Sequence, residues 1–558
     1  MKPDPDGARG QGASTELDPI ELQVMSGALA ATCEEMGAVL MRAAHSPNIK
    51  ERRDCSTALF DAAGEMTMQA EHIPVHLGSM PDAVAAVLAE RHQPGRSWVL
   101  NDPFAGGTHL PDITVITPAF AHPTDADPGP LLGFAVSRAH HSDVGGRTPG
   151  SMPADSTTLA EEGVVIEPQP LLADTLERLA AQMRDPAQRR ADLRAQLAAN
   201  ELGSRRLADL AEQIGLERLR SGTAAVLAYA ERRMRSCIGA LADGVYEAED
   251  VLEAREGDLR LRLRATVAGE RLRLDFTGSA AQHAGNLNCP LAVTRSACAF
   301  AVRVLTDPDI PPSTGALRPI EIAAPRGCLL NAEPGAAVAA GNVETSSRVA
   351  DLVLAAFGRA LGQGTMNNVT LGNERFAYYE TIGGGQGACP DADGPSAIHV
   401  AMSNTLNTPV EALERELPLR VRSYAVRRDS GGGGRHRGGD GVVRELEALQ
   451  EMYFSLITDR RRHAPPGADG GTPGARGRNL LIACDGPESP GTKPTELPAK
   501  TSGTLRTGER IRIETPGGGG MGTPGGGDTS TTDGGDTSTP GGGDTSTTRS
   551  SGMGTAAD

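Results

Sequence analysis

The sequence predicts a mixed α and β fold (α+β), with a long helical insertion between β regions and a glycine-rich β region towards the carboxyl end. Three observations predict it. Apolar residues recur at helical spacing over 19–44, and a stretch rich in Leu, Ala, Arg and Glu fills 173–243. Alternation follows within 245–276, where Arg260, Arg262 and Arg264 interleave with Leu259, Leu261 and Leu263. From Met366 onward, strand-like runs are separated by glycine runs such as 383–385 and 431–434.

In chain order, residues 1–18 read as a polar, disordered leader without the apolar core of a signal peptide. A helix over 19–44 carries the stripe Leu22, Met25, Leu29, Cys33, Met36 and Leu40. A polar segment, 46–56, precedes a hairpin over 57–68 with its turn near Ala63 and Gly64. A short helix is expected over 79–91 and strands over 98–100, 113–120 and 133–137. The helical stretch keeps an apolar stripe across 201–220 through Leu207, Leu210 and Ile214. Further helices are expected over 293–305 and 347–361. This divides 19–522 into a segment carrying polar loops (19–170), a helical segment (171–243), a mixed segment (244–365) and a glycine-rich β segment (366–522), intertwined rather than sequential. The repeats of Gly-Gly-Asp-Thr-Ser-Thr within 523–558 offer nothing apolar to offset ordering entropy, so this stretch reads as a disordered tail.

Composition narrows the function classes. The formal charge is -17, with 71 acidic against 54 basic residues, which argues against nucleic acid or an anionic membrane as the main partner. No run of about 18 apolar residues stands out, so no membrane span is expected. The 8 cysteines form no Cys-x-x-Cys pair and suggest no disulfide framework, which fits a reduced, cytoplasmic setting.

The chemistry-bearing residues cluster in two loops. Asn101–Asp112 holds His109-x-x-Asp112, and His140-His141-Ser142-Asp143-Val144-Gly145-Gly146 follows a predicted strand. Imidazole and carboxylate donors suit Mn²⁺, Fe²⁺ or Zn²⁺ better than Ca²⁺, and the absence of nearby cysteine argues against a structural zinc. On ligand chemistry alone, a metal site and hydrogen-bonded structural loops both remain open. His72 and His76 flank Pro74, which opposes an intact helix, so they read as a positioned loop beside the site. Glu161 and Glu162 are candidates for a general base, against the commoner fate of a solvated helix end. Glu344 is a further polar position, and Arg460–Arg462 could bind a phosphate or carboxylate, though such a run is more commonly a solvated face. There is no Gly-x4-Gly-Lys-[Ser/Thr] and no dinucleotide fingerprint, so a nucleotide site is not expected on this chain.

At these motifs the chain resembles the hydantoinase B/oxoprolinase family. The residues concerned include 70–80, 101–112, 138–146, 149–153, Glu161-Glu-Gly163, Gly341-Asn-Val-Glu-Thr-Ser346, 364–368, Tyr379-Glu-Thr-Ile-Gly-Gly-Gly385, 407–411, 437–441 and 515–522. The resemblance implies a hydantoinase B-like fold. It also implies a subunit that completes a reaction begun by a hydantoinase A-type partner, which uses ATP to phosphorylate a carbonyl or amide oxygen. It implies a divalent metal held by His109, Asp112 and His140, with His141 the alternative and Asp143 a further or supporting group. Met521 stands where relatives usually carry an aromatic residue, and the repeat tail is unlike the family.

The reading that follows is the B-type component of an ATP-dependent cyclic-amide hydrolase acting on 5-oxoproline or a hydantoin, in a hetero-oligomer and inactive alone. Glu162 or Asp143 is the expected base. A component of an ATP-dependent ketone carboxylase is the alternative enzyme class, and a non-catalytic scaffold the alternative outside catalysis.

Overall fold

The computed structural model describes residues 17–124, 127–484 and 493–524. The expected tail from 525 and all but the last two residues of the expected leader lie outside them. Helix α1 (Pro19–Ala43) starts at a capping box: Asp18 Oδ1 accepts from the Ile20 and Glu21 backbone N–H groups, and Glu21 accepts from the Asp18 N–H. Its buried stripe is Met25, Leu29, Cys33, Met36 and Leu40. The helix is long and apolar enough to cross a membrane, a feature the sequence reading passed over. Here that stripe belongs to the core beneath the first sheet.

That sheet positions the site. A short helix α2 (Pro47–Lys50) leads into the hairpin β1 (Cys55–Asp61) and β2 (Met66–Glu71), which turns at Ala62–Glu65 as expected. Helix α3 (Met80–Ala85) is shorter than the spacing predicts. After it the chain tightens into turns with bonds from Val87 N–H to Val84 O and Glu90 N–H to Val87 O. Strands β3 (Trp98–Leu100), β4 (Asp112–Phe120), β5 (Leu131–His140) and β6 (Gln169–Pro170) complete a sheet of order β2-β1-β5-β4-β3-β6, antiparallel throughout. Strands β4 and β5 are buried almost end to end because both faces are covered. One face packs Leu59, Met68, Ala135 and Ala139 with α1. The other packs Phe60, Val84, Leu100, Ile116 and Phe134.

Three helices follow: α4 (Ala173–Ala180), α5 (Pro186–Ile214) and α6 (Leu216–Gly239). The continuous stripe expected across 201–220 is broken at Gly215, whose φ of 87° stops α5 and starts α6. Ile214 is left exposed there, while Ala195, Ala199 and Leu207 of α5 pack into the core under the first sheet.

The second sheet has order β10-β9-β8-β7, from β7 (Gly244–Glu253), β8 (Asp258–Ala268), β9 (Arg271–Asp275) and β10 (Ile320–Ala323). The alternation read from the sequence is realised. Leu261 and Leu263 face a core shared with α7 (Leu291–Leu305), α8 (Thr314–Leu317) and α9 (Ser346–Ala356), while Arg260 pairs outward with Glu249.

The carboxyl-terminal half holds two sheets. β11 (Asn368–Gly372), β12 (Ala377–Glu380), helix α10 (Val410–Glu416), β13 (Leu419–Arg427), β14 (Gly441–Ala448), β15 (Met452–Ile457), β16 (Arg478–Ile482), β17 (Thr495–Leu497), β18 (Lys500–Leu505) and β19 (Arg510–Glu514) follow in order. They form sheets of order β12-β11-β15-β18 and β13-β14-β19-β16-β17. The arginine run is not a solvated face. Arg460 is buried against Asp250 and Asp351, and Arg461 donates to Asn367 and Asn479, leaving only Arg462 half exposed. Arg348 joins Asp250, Asp351 and Asp459 in the same buried network, so each charge is paired.

Nor are the glycine runs only tight loops. They lie side by side as extended chains, with Gly439 N–H bonding Gln386 O at 2.8 Å, Gly518 N–H bonding Gly439 O at 2.9 Å and Gly432 N–H bonding Gly518 O at 2.8 Å. Glycine is required because the backbones touch: a Cβ on Gly439 would lie 1.9 Å from Pro395 O. Met521 fills a small cluster with Ala360 and Ala388 at the edge of this bundle.

Candidate metal centre

Two antiparallel strands set the geometry. Asp112 opens β4, His140 closes β5, and the register places them opposite each other. The loop before β4 is tied down at three points. Asn101 Nδ2 donates to Leu110 O (2.8 Å) and Val164 O (3.0 Å), and its Oδ1 accepts from the Ile166 N–H (2.6 Å). From β5, the buried Arg138 donates to Gly106 O at 2.8 Å, and also to Thr114 and Ser79. His109 is therefore held over the Asp112–His140 pair.

The side chains converge. His109 Nε2 lies 3.1 Å from Asp112 Oδ1, His140 Nδ1 lies 3.3 Å from the same oxygen, and the two imidazole nitrogens are 3.2 Å apart. All three residues are buried. His76, from the turn Pro74–His76, adds Nε2 at 3.3 Å from Asp112 Oδ2, and its Nδ1 meets Ser56 Oγ at 3.1 Å. Thr108 Oγ1 donates to Asp112 Oδ2 at 2.6 Å. The ring of His140 stacks on Tyr379 at 4.7 Å and 13°. Tyr379 is fixed by its hydroxyl on Asn368 Oδ1 at 2.5 Å and by Arg52, which lies over its ring and donates to its carbonyl.

The cluster fits a divalent cation. Asp112 Oδ1 and His76 Nε2 find no hydrogen-bond partner although both are buried, a costly arrangement for hydrogen bonding alone. Ligand atoms around an ion with bonds of about 2.1 Å stand about 3.0–3.4 Å apart, which is the spacing here. Two imidazoles and a carboxylate suit Zn²⁺, Mn²⁺ or Fe²⁺. Burial alone pushes the Asp112 carboxyl up, but the neighbouring His109 and His76 outweigh it and hold it well below the usual carboxylate range. Burial likewise lowers His140, favouring the neutral, ligating form.

The other expected residues stand apart. His141 is buried on the opposite side of the strand end, where Nε2 meets Gln196 Oε1 at 3.0 Å, and burial lowers it to about 4. Successive residues at a strand end project to opposite faces, so His140 and His141 cannot both reach Asp112. Asp143 is held within its own loop and by Arg184. Its oxygens accept from the Gly145 and Gly150 N–H groups at 2.7 Å each and from Arg184 at 2.9 Å. Glu161 is partly exposed and caps the Thr157 N–H.

Glu162 is different. It is fully buried, near enough to His109 to feel its charge, and accepts from Ser156 Oγ (2.8 Å) and the Val338 and Ala339 N–H groups (3.1 and 3.0 Å). Burial pushes it up to about 7 from 4.5, against the pull of those hydrogen bonds. A carboxyl raised on folding contributes most stability below its unfolded value and loses that contribution as pH climbs towards 7. Glu162→Gln should therefore gain about 2–3 kcal/mol on the wild type between pH 5 and pH 8 in urea unfolding. Parallel stability curves across that range would contradict this.

Sequence reasoning gave no role to Tyr379, Arg52, Asn101 or Arg138. Tyr379 stood in a recognised motif, yet its position against His140 depends on a strand more than two hundred residues away.

The hydantoinase B/oxoprolinase family model matches residues 18–524. The chain is 38% identical over 548 residues to 5-oxoprolinase 1 of Arabidopsis thaliana, covering 91% of this chain and 42% of that protein. It is 30% identical to the putative D-/L-hydantoinase B-type component of Pseudomonas sp. (strain NS671), covering 91% and 90%. It thus spans less than half the length of the 5-oxoprolinases and nearly all of the hydantoinase component. Among solved structures, the ATP-dependent caprolactamase from Pseudomonas jessenii superposes with a TM-score of 0.82 at 26% identity, over 91% of this chain and 92% of that one. Acetone carboxylase in its nucleotide-free form shares the fold, with a TM-score of 0.80 at 18% identity over 91% and 76%. A match over almost the whole described chain, with the polar loops of the sequence brought together in one buried cluster, places this protein in the hydantoinase B/oxoprolinase family.

Proposed function

We propose that this chain is the B-type component of an ATP-dependent cyclic-amide hydrolase, acting in the cytoplasm on 5-oxoproline or a hydantoin with an A-type partner that uses ATP. The observation that carries the reading is the buried His109–Asp112–His140 cluster in a chain of this family without a P-loop sequence. Amides resist water because resonance stabilises them. Transfer of a phosphoryl group to the amide oxygen in the partner removes that resonance and leaves an electrophilic carbon. A divalent cation held by His109, Asp112 and His140 would supply Lewis acidity at that carbon's oxygen and lower the pKa of water.

The chain's own residues do the rest. Burial of the cluster keeps bulk water from the activated intermediate. Tyr379 and Arg52 hold the His140 ring in plane, and Ser56 holds His76 beside Asp112. Glu162, raised to about 7 by burial, is matched to accept a proton near neutrality from the water whose oxygen bonds to the activated carbon, and to return it to the departing nitrogen as the C–N bond opens; the acyl phosphate that remains is hydrolysed by a second water to the carboxylate and inorganic phosphate. Glu162→Gln is expected to lower kcat about 100-fold.

The test is co-expression with an A-type protein, with ATP turnover measured on 5-oxoproline, hydantoins and ketones, with and without bicarbonate. The reading expects turnover stimulated by a cyclic amide and indifferent to bicarbonate. Turnover only with a ketone and bicarbonate would replace it with a carboxylase, and turnover untouched by His109→Ala would reduce the chain to a scaffold.

A further inference from the structure

A second polar pocket lies behind the metal loop. While His140 faces the cluster, the next turn of the same loop carries Ser142 to the wall of a cavity of about 220 Å³. The opposite walls are the amino end of α5, with Gln188 and Arg189, and the turn into β12, with Arg375. That volume suits one small anion with a few waters and is below the range of larger organic ligands.

Its polar groups are unfinished. Arg189 is fully buried, yet its Nε and Nη1 have no acceptor; only Nη2 is engaged, with Gln188 Oε1 and at 3.3 Å with Asp192. Asp192 Oδ1 accepts the His45 and Ser46 N–H groups, and its Oδ2 faces Arg189 only through Nη2, leaving Nε and Nη1 without an acceptor. Ser142 Oγ is buried and also lacks a partner. Arg375 is exposed, and its guanidinium has no partner among the described residues. The acids on the rim are occupied or turned outward. Asp143 is held by Arg184 and two N–H groups, Asp185 caps the Gln188 N–H, and Glu416 is exposed beside Arg415. Leaving buried guanidinium N–H groups unpaired is expensive, and burial lowers Arg189 accordingly.

We propose that this pocket binds a small oxyanion, a phosphate or a carboxylate, through Arg189, Arg375 and Ser142 Oγ. The first turn of α5, a helix of 29 residues, adds its dipole. The walls belong to the two elements that bring His140 and its stacking partner Tyr379 together, β5 through its following loop and β12. An anion bridging them clamps the geometry of the candidate metal centre from behind. The proposal stands apart from the hydrolase reading, because it concerns binding at residues outside the cluster.

The experiment is calorimetric titration of the full-length, chelator-treated protein with inorganic phosphate and with acetate, each against chloride at equal ionic strength. Chelation keeps a metal from taking the anion. Saturable binding of phosphate, acetate or both is expected, and which of them binds identifies the source. Arg375→Ala and Ser142→Ala should each weaken it about ten-fold. Arg189→Gln should abolish it, with circular dichroism checking that this variant folds; the other two variants decide the matter if it does not. No saturable heat with either anion, or wild-type affinity in both Arg375→Ala and Ser142→Ala, overturns the proposal.

Discussion

With a divalent cation on His109, Asp112 and His140 as proposed, Asp112→Asn should leave the protein folded, abolish cation binding and lower turnover with the A-type partner by about 10⁴-fold. The size follows from what Asp112 does. Among the described residues it is the one carboxylate within 3.3 Å of three imidazole nitrogens, from His76, His109 and His140. Asparagine has the same shape but is neutral, so the donor set loses its negative charge and much of its affinity for a dication. A cation contributes several kcal/mol to charge stabilisation in such sites, and each 1.36 kcal/mol is about ten-fold in rate. Thr108 can still donate to the amide oxygen, so the loop should keep its shape. Metal content and kcat measured on the same preparation check this. Full turnover in a metal-free Asp112→Asn protein would separate the cluster from catalysis.

Gly439→Ala should destabilise the protein by about 4 kcal/mol or more, well above the ordinary cost of a small-to-large change. The new methyl carbon would sit 1.9 Å from Pro395 O, and the neighbouring chains cannot withdraw, because Gly439 bonds Gln386 O and accepts from Gly518 N–H. Relief would break those backbone bonds in a buried bundle. Gly433→Ala is the internal comparison: its Cβ meets only Thr472 Oγ1 at 3.6 Å, an ordinary contact. Urea unfolding should separate the two variants clearly, and equal midpoints would contradict the close-packed bundle.

These two sites differ in how far the sequence revealed them. Local signals were enough for α1 and the alternating second sheet, which are amphipathic and declare their own buried faces, and for the hairpin turn after Asp61, which Ala63 and Gly64 mark. Strands β4 and β5 are covered on both faces, so they show no alternation, and β5 was expected to end at residue 137 instead of His140. That shortfall left His141 open as the alternative to His140 in the sequence, although a strand reaching His140 must send His141 the other way, to Gln196. Asp143 read as a candidate base or supporting group for a related reason: the Gly145 and Gly150 N–H groups that occupy it come from the fold of its own loop, and Arg184 from another segment. The arginine run was misread because its partners, Asp250 and Asp351, lie far off in the chain. The glycine runs announced turns, whereas their use is close approach between chains, a relation among distant segments that no single window contains.

The most direct test is anomalous X-ray scattering from crystals of the protein purified without chelator, collected at the Zn, Fe and Mn edges. One peak per chain is expected, within about 2.3 Å of His109 Nε2, Asp112 Oδ1 and His140 Nδ1. A peak at His141 or Asp143, or no peak in crystals of active enzyme, would contradict it.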